Sequence, residues 1–117
     1  MTSIRTVTIT MSPLFRDLVT GLIAAHCNID LVAGIDDRTA IEQRLHALAA
    51  ELVLIGLGEG EGDEVGPVLA GSMPNARVIA FTSDIRHAFV HQLHRPRRVL
   101  LDISSQQLID AALGHDG

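Results

Sequence analysis

His87, His91 and His94 are the first residues in this chain that could do chemistry, because imidazoles at i, i+4 and i+7 share one face of a helix and can gather on a metal ion. The surrounding segment offers them no acidic or thiol partner, so a solvated face opposite an Ile85, Phe89, Leu93 stripe is the favoured reading. Gly56, Gly58, Gly60 and Gly62 fall at every second position of a stretch that also carries Glu59, Glu61, Asp63 and Glu64. Backbone N–H groups there could cradle an anion at a sheet edge. The carboxylates argue against phosphate, and both the P-loop lysine and a dinucleotide spacing are missing. A flexible acidic loop is favoured, with a weak cation site as the alternative. Cys27 and His26 are neighbours that diverge on a helix, so the cysteine reads as a small core residue. Thr82 reads as a hydroxyl at a strand end. His94-Arg95-Pro96-Arg97-Arg98 concentrates cations, and planar guanidinium forks suit carboxylates and flat groups at interfaces. Asp102 and Asp110 are candidates to pair with them, within the chain or across a dimer.

Composition removes several classes of function. The 117 residues, 47% hydrophobic, suit a single domain over 1–117 with a real core. All nine basic residues are arginine, which excludes any lysine Schiff base, phosphate clamp or general base. A net charge of -5 and an aromatic content of 3%, without Trp or Tyr, disfavour nucleic acid as a partner. One cysteine forms no internal disulfide, the first residues do not read as a basic start followed by an apolar core and cleavage site, and no apolar run approaches membrane-spanning length. The expectation is a soluble cytoplasmic protein without membrane contact.

Strands and helices must alternate to position these residues. Arg5 to Thr10, Ile29 to Ile35, Glu51 to Leu57, Arg77 to Thr82 and Arg98 to Leu101 read as five strands. Ser12-Pro13 opens a first helix, with Leu14, Leu18 and Leu22 beside Phe15, Val19 and Ile23. Asp36 and Asp37 are read as caps for a second, with Ile41, Leu45 and Leu48 inward. Gly66 and Pro67 weaken the third, which is expected to be short or frayed. Asp84 is read as the cap of a fourth that Pro96 stops, and Ser104 with Gln107 makes a capping box for a fifth ended by Gly114. Right-handed crossovers then predict an α/β fold with a doubly wound, five-stranded parallel sheet, flavodoxin-like, in strand order 2-1-3-4-5.

Several segments resemble the receiver domains of two-component response regulators, over nearly the whole chain. Thr8-Ile9-Thr10-Met11-Ser12-Pro13-Leu14-Phe15-Arg16 is similar to their opening, in which a strand ends in an acidic pair before a proline-containing helix start. Glu51 to Gly58 resembles the run into the phosphoacceptor aspartate, Pro74 to Ser83 the fourth strand with its switch hydroxyl, and Val99 to Ser104 the fifth strand. The resemblance puts Gly56 at the acceptor, Thr10 and Met11 in the acidic slots, Leu101 at the lysine and Arg98 at the switch aromatic; Thr82 keeps its identity. Receiver chemistry needs a carboxylate nucleophile, a divalent cation held by carboxylates and neutralising cations. The implied pocket of Thr10, Met11, Gly56, Thr82 and Leu101 is therefore degenerate, and no catalysis, metal or cofactor is expected. The family's interaction face would carry Arg95, Arg97, Arg98 and Asp102.

The resulting expectation is a stand-alone pseudo-receiver, a phosphorylation-independent protein interaction module in bacterial signal transduction. Its partner would be a kinase, a regulator or an assembly component, or a second copy bound through that face or through the first and last helices. The alternative is a small-ligand or metal sensor that uses the crevice at the carboxyl ends of the strands and the Glu/Gly loop. A response regulator that has lost its DNA-binding output domain is a third reading.

Overall fold

Leu52–Gly56 is a strand whose four apolar side chains have no solvent exposure. In the computed structural model, which describes residues 3–25, 28–84, 86–92 and 96–113, the sheet grows outward from it. In chain order the strands are β1 (Ile4–Ile9), β2 (Ile29–Ile35), β3 (Leu52–Gly56), β4 (Arg77–Phe81), β5 (Ala88–His91) and β6 (Arg98–Leu100). The helices are α1 (Pro13–Ala24), α2 (Ile41–Leu48), α3 (Val65–Ser72) and α4 (Ser105–Leu113). The sheet order is β2-β1-β3-β4-β5-β6. β1 to β4 run parallel, whereas β5 is antiparallel to both β4 and β6.

The period of two along each strand sends alternate side chains into two apolar layers. Val53 and Ile55 join Val7, Ile9, Leu45 and Leu69 under α2 and α3. Leu52 and Leu54 join Phe15, Val19, Ile23 and Leu108 under α1 and α4, where Phe15 meets Phe81 edge to face at 5.3 Å. Ser12 caps α1 through the Phe15 N–H at 3.3 Å. The predicted capping box of α4 is also present: Ser104 N–H donates to Gln107 Oε1 at 3.0 Å, and Gln107 N–H donates to Ser104 Oγ at 3.1 Å. α2 is entered differently, because Ala40 precedes it in the left-handed region at φ 51° and no side chain caps it. Asp37 instead closes the preceding turn by accepting the Thr39 N–H at 2.8 Å.

The six-stranded mixed sheet overturns the expected five-stranded, all-parallel sheet in order 2-1-3-4-5, and the difference lies in one segment. The helix expected from Asp84 to Pro96 is a tight reversal followed by β5. Thr82 Oγ1 donates to Asp84 Oδ1 at 2.6 Å, Asp84 Oδ1 also accepts the Arg86 N–H at 3.1 Å, and Thr82 N–H donates to the His87 carbonyl at 3.0 Å. These bonds turn the chain back along β4, whose outer edge then gains a hydrogen-bonded partner from Val78↔His91 to Phe81↔Ala88. Ala88 and Val90 enter the α1/α4 layer, and Phe89 packs on the other. Ile85 and Leu93, which completed the helical stripe, lie outside the described residues, as do His26, Cys27, His94, Arg95 and Gly114.

α3 is intact over eight residues, and Gly66 has a purpose there. A Cβ at Gly66 would stand 2.3 Å from the His91 ring and 2.7 Å from Asp63 Oδ1. The imidazole thus passes against bare backbone to reach Asp63. Gly66→Ala is expected to lower the unfolding free energy in urea titrations by about 2–4 kcal/mol, since it overpacks the site and pushes His91 off its partner.

Candidate functional site

The carboxyl edge of β1 and β3 is the crevice in which an open parallel sheet places its ligands. Here it is filled by the chain itself. Thr10 leaves β1 in the left-handed region at φ 49°, an uncommon conformation for a β-branched residue, and its Oγ1 donates to the Gly56 carbonyl at 2.7 Å. That closeness explains Gly56, because a Cβ there would lie 2.7 Å from the Thr10 carbonyl oxygen and 3.3 Å from Met11 Cγ. Met11 is buried and dries the same corner. An aspartate at position 56 would therefore require the Thr10 backbone to move.

Arg38, from the β2–α2 connection, spans the remaining opening. Its Nη2 donates to the Gly56 carbonyl at 3.0 Å and to Glu61 Oε1 at 2.8 Å, while Nη1 bonds Glu61 Oε2. Glu61 Oε1 also accepts the Gly58 N–H at 2.6 Å. The Arg38 hydrogen bond, with help from the Gly58 N–H, holds the Glu61 carboxyl below the usual carboxylate range despite some burial. Arg38 belongs to no motif, and its only signal in the sequence is a cation just past a strand.

The other receiver-like positions do not converge on this crevice. Thr82 is committed to the β4–β5 turn, where its Oγ1 also accepts the His87 N–H at 3.2 Å. Leu101 is 64% exposed beyond β6. On the expected interaction face, Arg98 opens β6 opposite Val90, and Asp102, at φ 50°, meets Arg86 Nη2 at 3.2 Å. Arg95 lies outside the described residues. Arg97 is turned inward at its tip: its guanidinium carbon sits 5.3 Å above the Phe89 ring, and Nη1 approaches Asp63 Oδ2 at 3.8 Å.

The histidines separate. His87 Nδ1 accepts the Asp102 N–H at 3.2 Å and links the starts of β5 and of the chain after β6. His91, with its side chain 5% exposed, bonds Asp63 Oδ2 at 2.5 Å. Burial pushes the Asp63 carboxyl up, against the opposing pull of the His91 hydrogen bond and charge and of Arg97. This pair, 28 residues apart in sequence, left no local signal. Among the described residues no three His, Cys, Asp or Glu side chains are grouped to hold a metal ion.

Three substitutions check this site. Glu61 has a folded pKa below its unfolded value of about 4.3, so its stabilisation is present above that pH and is lost as pH falls through the lower folded pKa. The stability gap between wild type and Glu61→Gln should be full near neutrality and close on acidification below about pH 4 in denaturant titrations. Asp63 acts in the opposite sense, its raised pKa making the fold lose stability as pH climbs from about 3.9 through the folded value, so Asp63→Asn should remove that component. Gly56→Asp should cost about 1–3 kcal/mol and should take up no phosphoryl group from acetyl phosphate and magnesium by mass spectrometry. No protein-family model, curated protein or solved structure matches this chain.

Proposed function

We propose that the chain is a phosphorylation-independent protein interaction module, and that its partner is a second copy of itself bound through the α1/α4 layer. The observation that carries this reading is on α1. Leu14 and Leu18 are 83% and 58% exposed, although Phe15 and Val19 beside them are buried. Leu18 borders a groove of about 140 Å³ between α1 and α4, lined also by Leu22, Ile103 and Leu108. A leucine that projects next to an apolar groove on the same face gives a self-complementary surface, the requirement of a two-fold interface. Large exposed leucines clustered in this way are uncommon on a monomer without a partner.

The placement in bacterial signal transduction rests on the receiver-like sequence of Thr8 to Arg16, Glu51 to Gly58 and Pro74 to Ser83. Support for a role without catalysis comes from the crevice, where Gly56, Thr10 and Met11 supply neither nucleophile nor metal ligand. Arg98 with half-exposed Val99 offers a second surface at the β6 edge. Its reversal must be made separately from Arg97, because a carboxylate at 97 would face the buried Asp63 and disturb the fold.

Sedimentation equilibrium should show a concentration-dependent dimer for the wild type. Leu18→Asp should shift it to monomer by tenfold or more in dissociation constant, consistent with the loss of one buried leucine at roughly 1.5–3 kcal/mol. Arg98→Glu should leave that equilibrium in place. A chain that stays monomeric at all concentrations, or a Leu18→Asp variant that dimerises like the wild type, overturns the assignment.

A further inference from the structure

The geometry points to a carboxylate-binding site at the crevice that Glu61 occupies as an internal stand-in for an external organic carboxylate. This goes beyond the interaction reading and does not depend on it. Glu61 is held as a ligand carboxylate would be: both oxygens face the guanidinium fork of Arg38, and one also takes the Gly58 N–H. Paired N–H donors directed at a planar anion are the arrangement by which arginine recognises carboxylates.

Receptor and occupant differ in how firmly they are held. Arg38 is anchored from behind by the Gly56 carbonyl at 3.0 Å, with Thr10 Oγ1 at 3.4 Å; Gly56 ends β3 and Thr10 directly follows β1. Neither contact involves Glu61. Glu61 sits on a loop with glycine at 58, 60 and 62, of which Gly60 has φ 74°, a conformation that side chains resist. Withdrawing the carboxylate breaks its bonds to Arg38 and Gly58 and can turn on glycine at 58, 60 and 62. Arg38 Nε is buried without a hydrogen-bond partner, so the internal occupant leaves one donor of the fork unused. Arg38 and Glu61 side chains are 28% and 29% exposed, which gives solutes a path to the pair.

The ligand class follows from the donors. A planar carboxylate matches the two-pronged fork, whereas a phosphate dianion brings more negative charge to a loop that already carries Glu59 and Glu64. A tethered competitor acts at an effective concentration in the millimolar range, so displacement requires a ligand with further contacts, and removal of the competitor should reveal binding of even the simplest acid.

The test uses acetate, with chloride at matched ionic strength and inorganic phosphate as controls, followed by amide NMR. Glu61→Ala should bind acetate saturably with shifts at Leu57 and Gly58, at least about tenfold tighter than the wild type, because the tethered competitor is gone. Its melting temperature should rise in acetate relative to chloride, whereas Arg38→Gln with Glu61→Ala should show neither effect. If acetate produces no saturable shift in Glu61→Ala, or the same shift without Arg38, the site is refuted. Phosphate binding at least as tight as acetate refutes the ligand class. Should Glu61→Ala fail to fold, Glu61→Gln, which keeps the side chain's bulk but removes the competing charge, decides: saturable movement of the Gly58 amide in acetate, absent when Arg38→Gln is added, supports the site, and an unmoved amide overturns it.

Discussion

Asp63 and His91 carry the constraint on which the two unlike parts of this molecule depend. Their side chains are 3% and 5% exposed, and each would be costly to bury alone, by several kcal/mol for an unpaired charge. One comes from the loop before α3 and the other from the antiparallel strand β5, so the bond fastens the parallel part of the sheet to its antiparallel extension. Gly66 exists to let the two meet, and Arg97 closes over Phe89 above them. Asp63 Oδ1 is buried without a hydrogen-bond partner. Burial raises the pKa of this carboxyl, while His91 and Arg97 oppose the shift.

The same pair sets the state of the crevice. Starting at Leu57, the loop is fixed near its far end by His91 on Asp63 and in its middle by Arg38 on Glu61. Around those points the loop is exposed at Gly58, Glu59, Gly60 and Gly62. A segment so anchored can release its middle without releasing its end, which is why Glu61 can act as a removable occupant while α3 stays docked. The left-handed backbone of Thr10 and the missing side chain at Gly56 belong to the same arrangement: they bring β1 and β3 close enough for one guanidinium to bridge the Gly56 carbonyl and the loop.

Much of the frame was legible in sequence because local rules govern it. Ser12-Pro13 and Ser104-Gln107 specify helix starts through bonds made within a few residues, and both helices begin there. The continuous apolar run of β3 required cover on both faces and has it. The segment from Asp84 to Leu93 departs from the helical expectation because Ile85, Phe89 and Leu93 satisfy a helical period, while Ala88-Phe89-Val90 is also a short apolar run that a covered strand can carry. β4 needed an edge partner, and the turn at Thr82, Asp84 and His87 supplied the reversal. Tertiary hydrogen bonding thereby overrode a sound local pattern.

The sequence by itself determined which side chains are available: all nine basic residues are arginine, so no lysine can act anywhere in the fold, and the ends of β1 and β3 carry Thr10, Met11 and Gly56. It also determined the parallel core, since strand and helix periods are written within each segment. Tertiary structure decided which charges meet. Arg38 with Glu61 and Asp63 with His91 are 23 and 28 residues apart, and no local rule selects those partners among the other arginines and acids. They are chosen because folding brings strand exits together at one edge, where a charge removed from water must find its counterpart or stay outside.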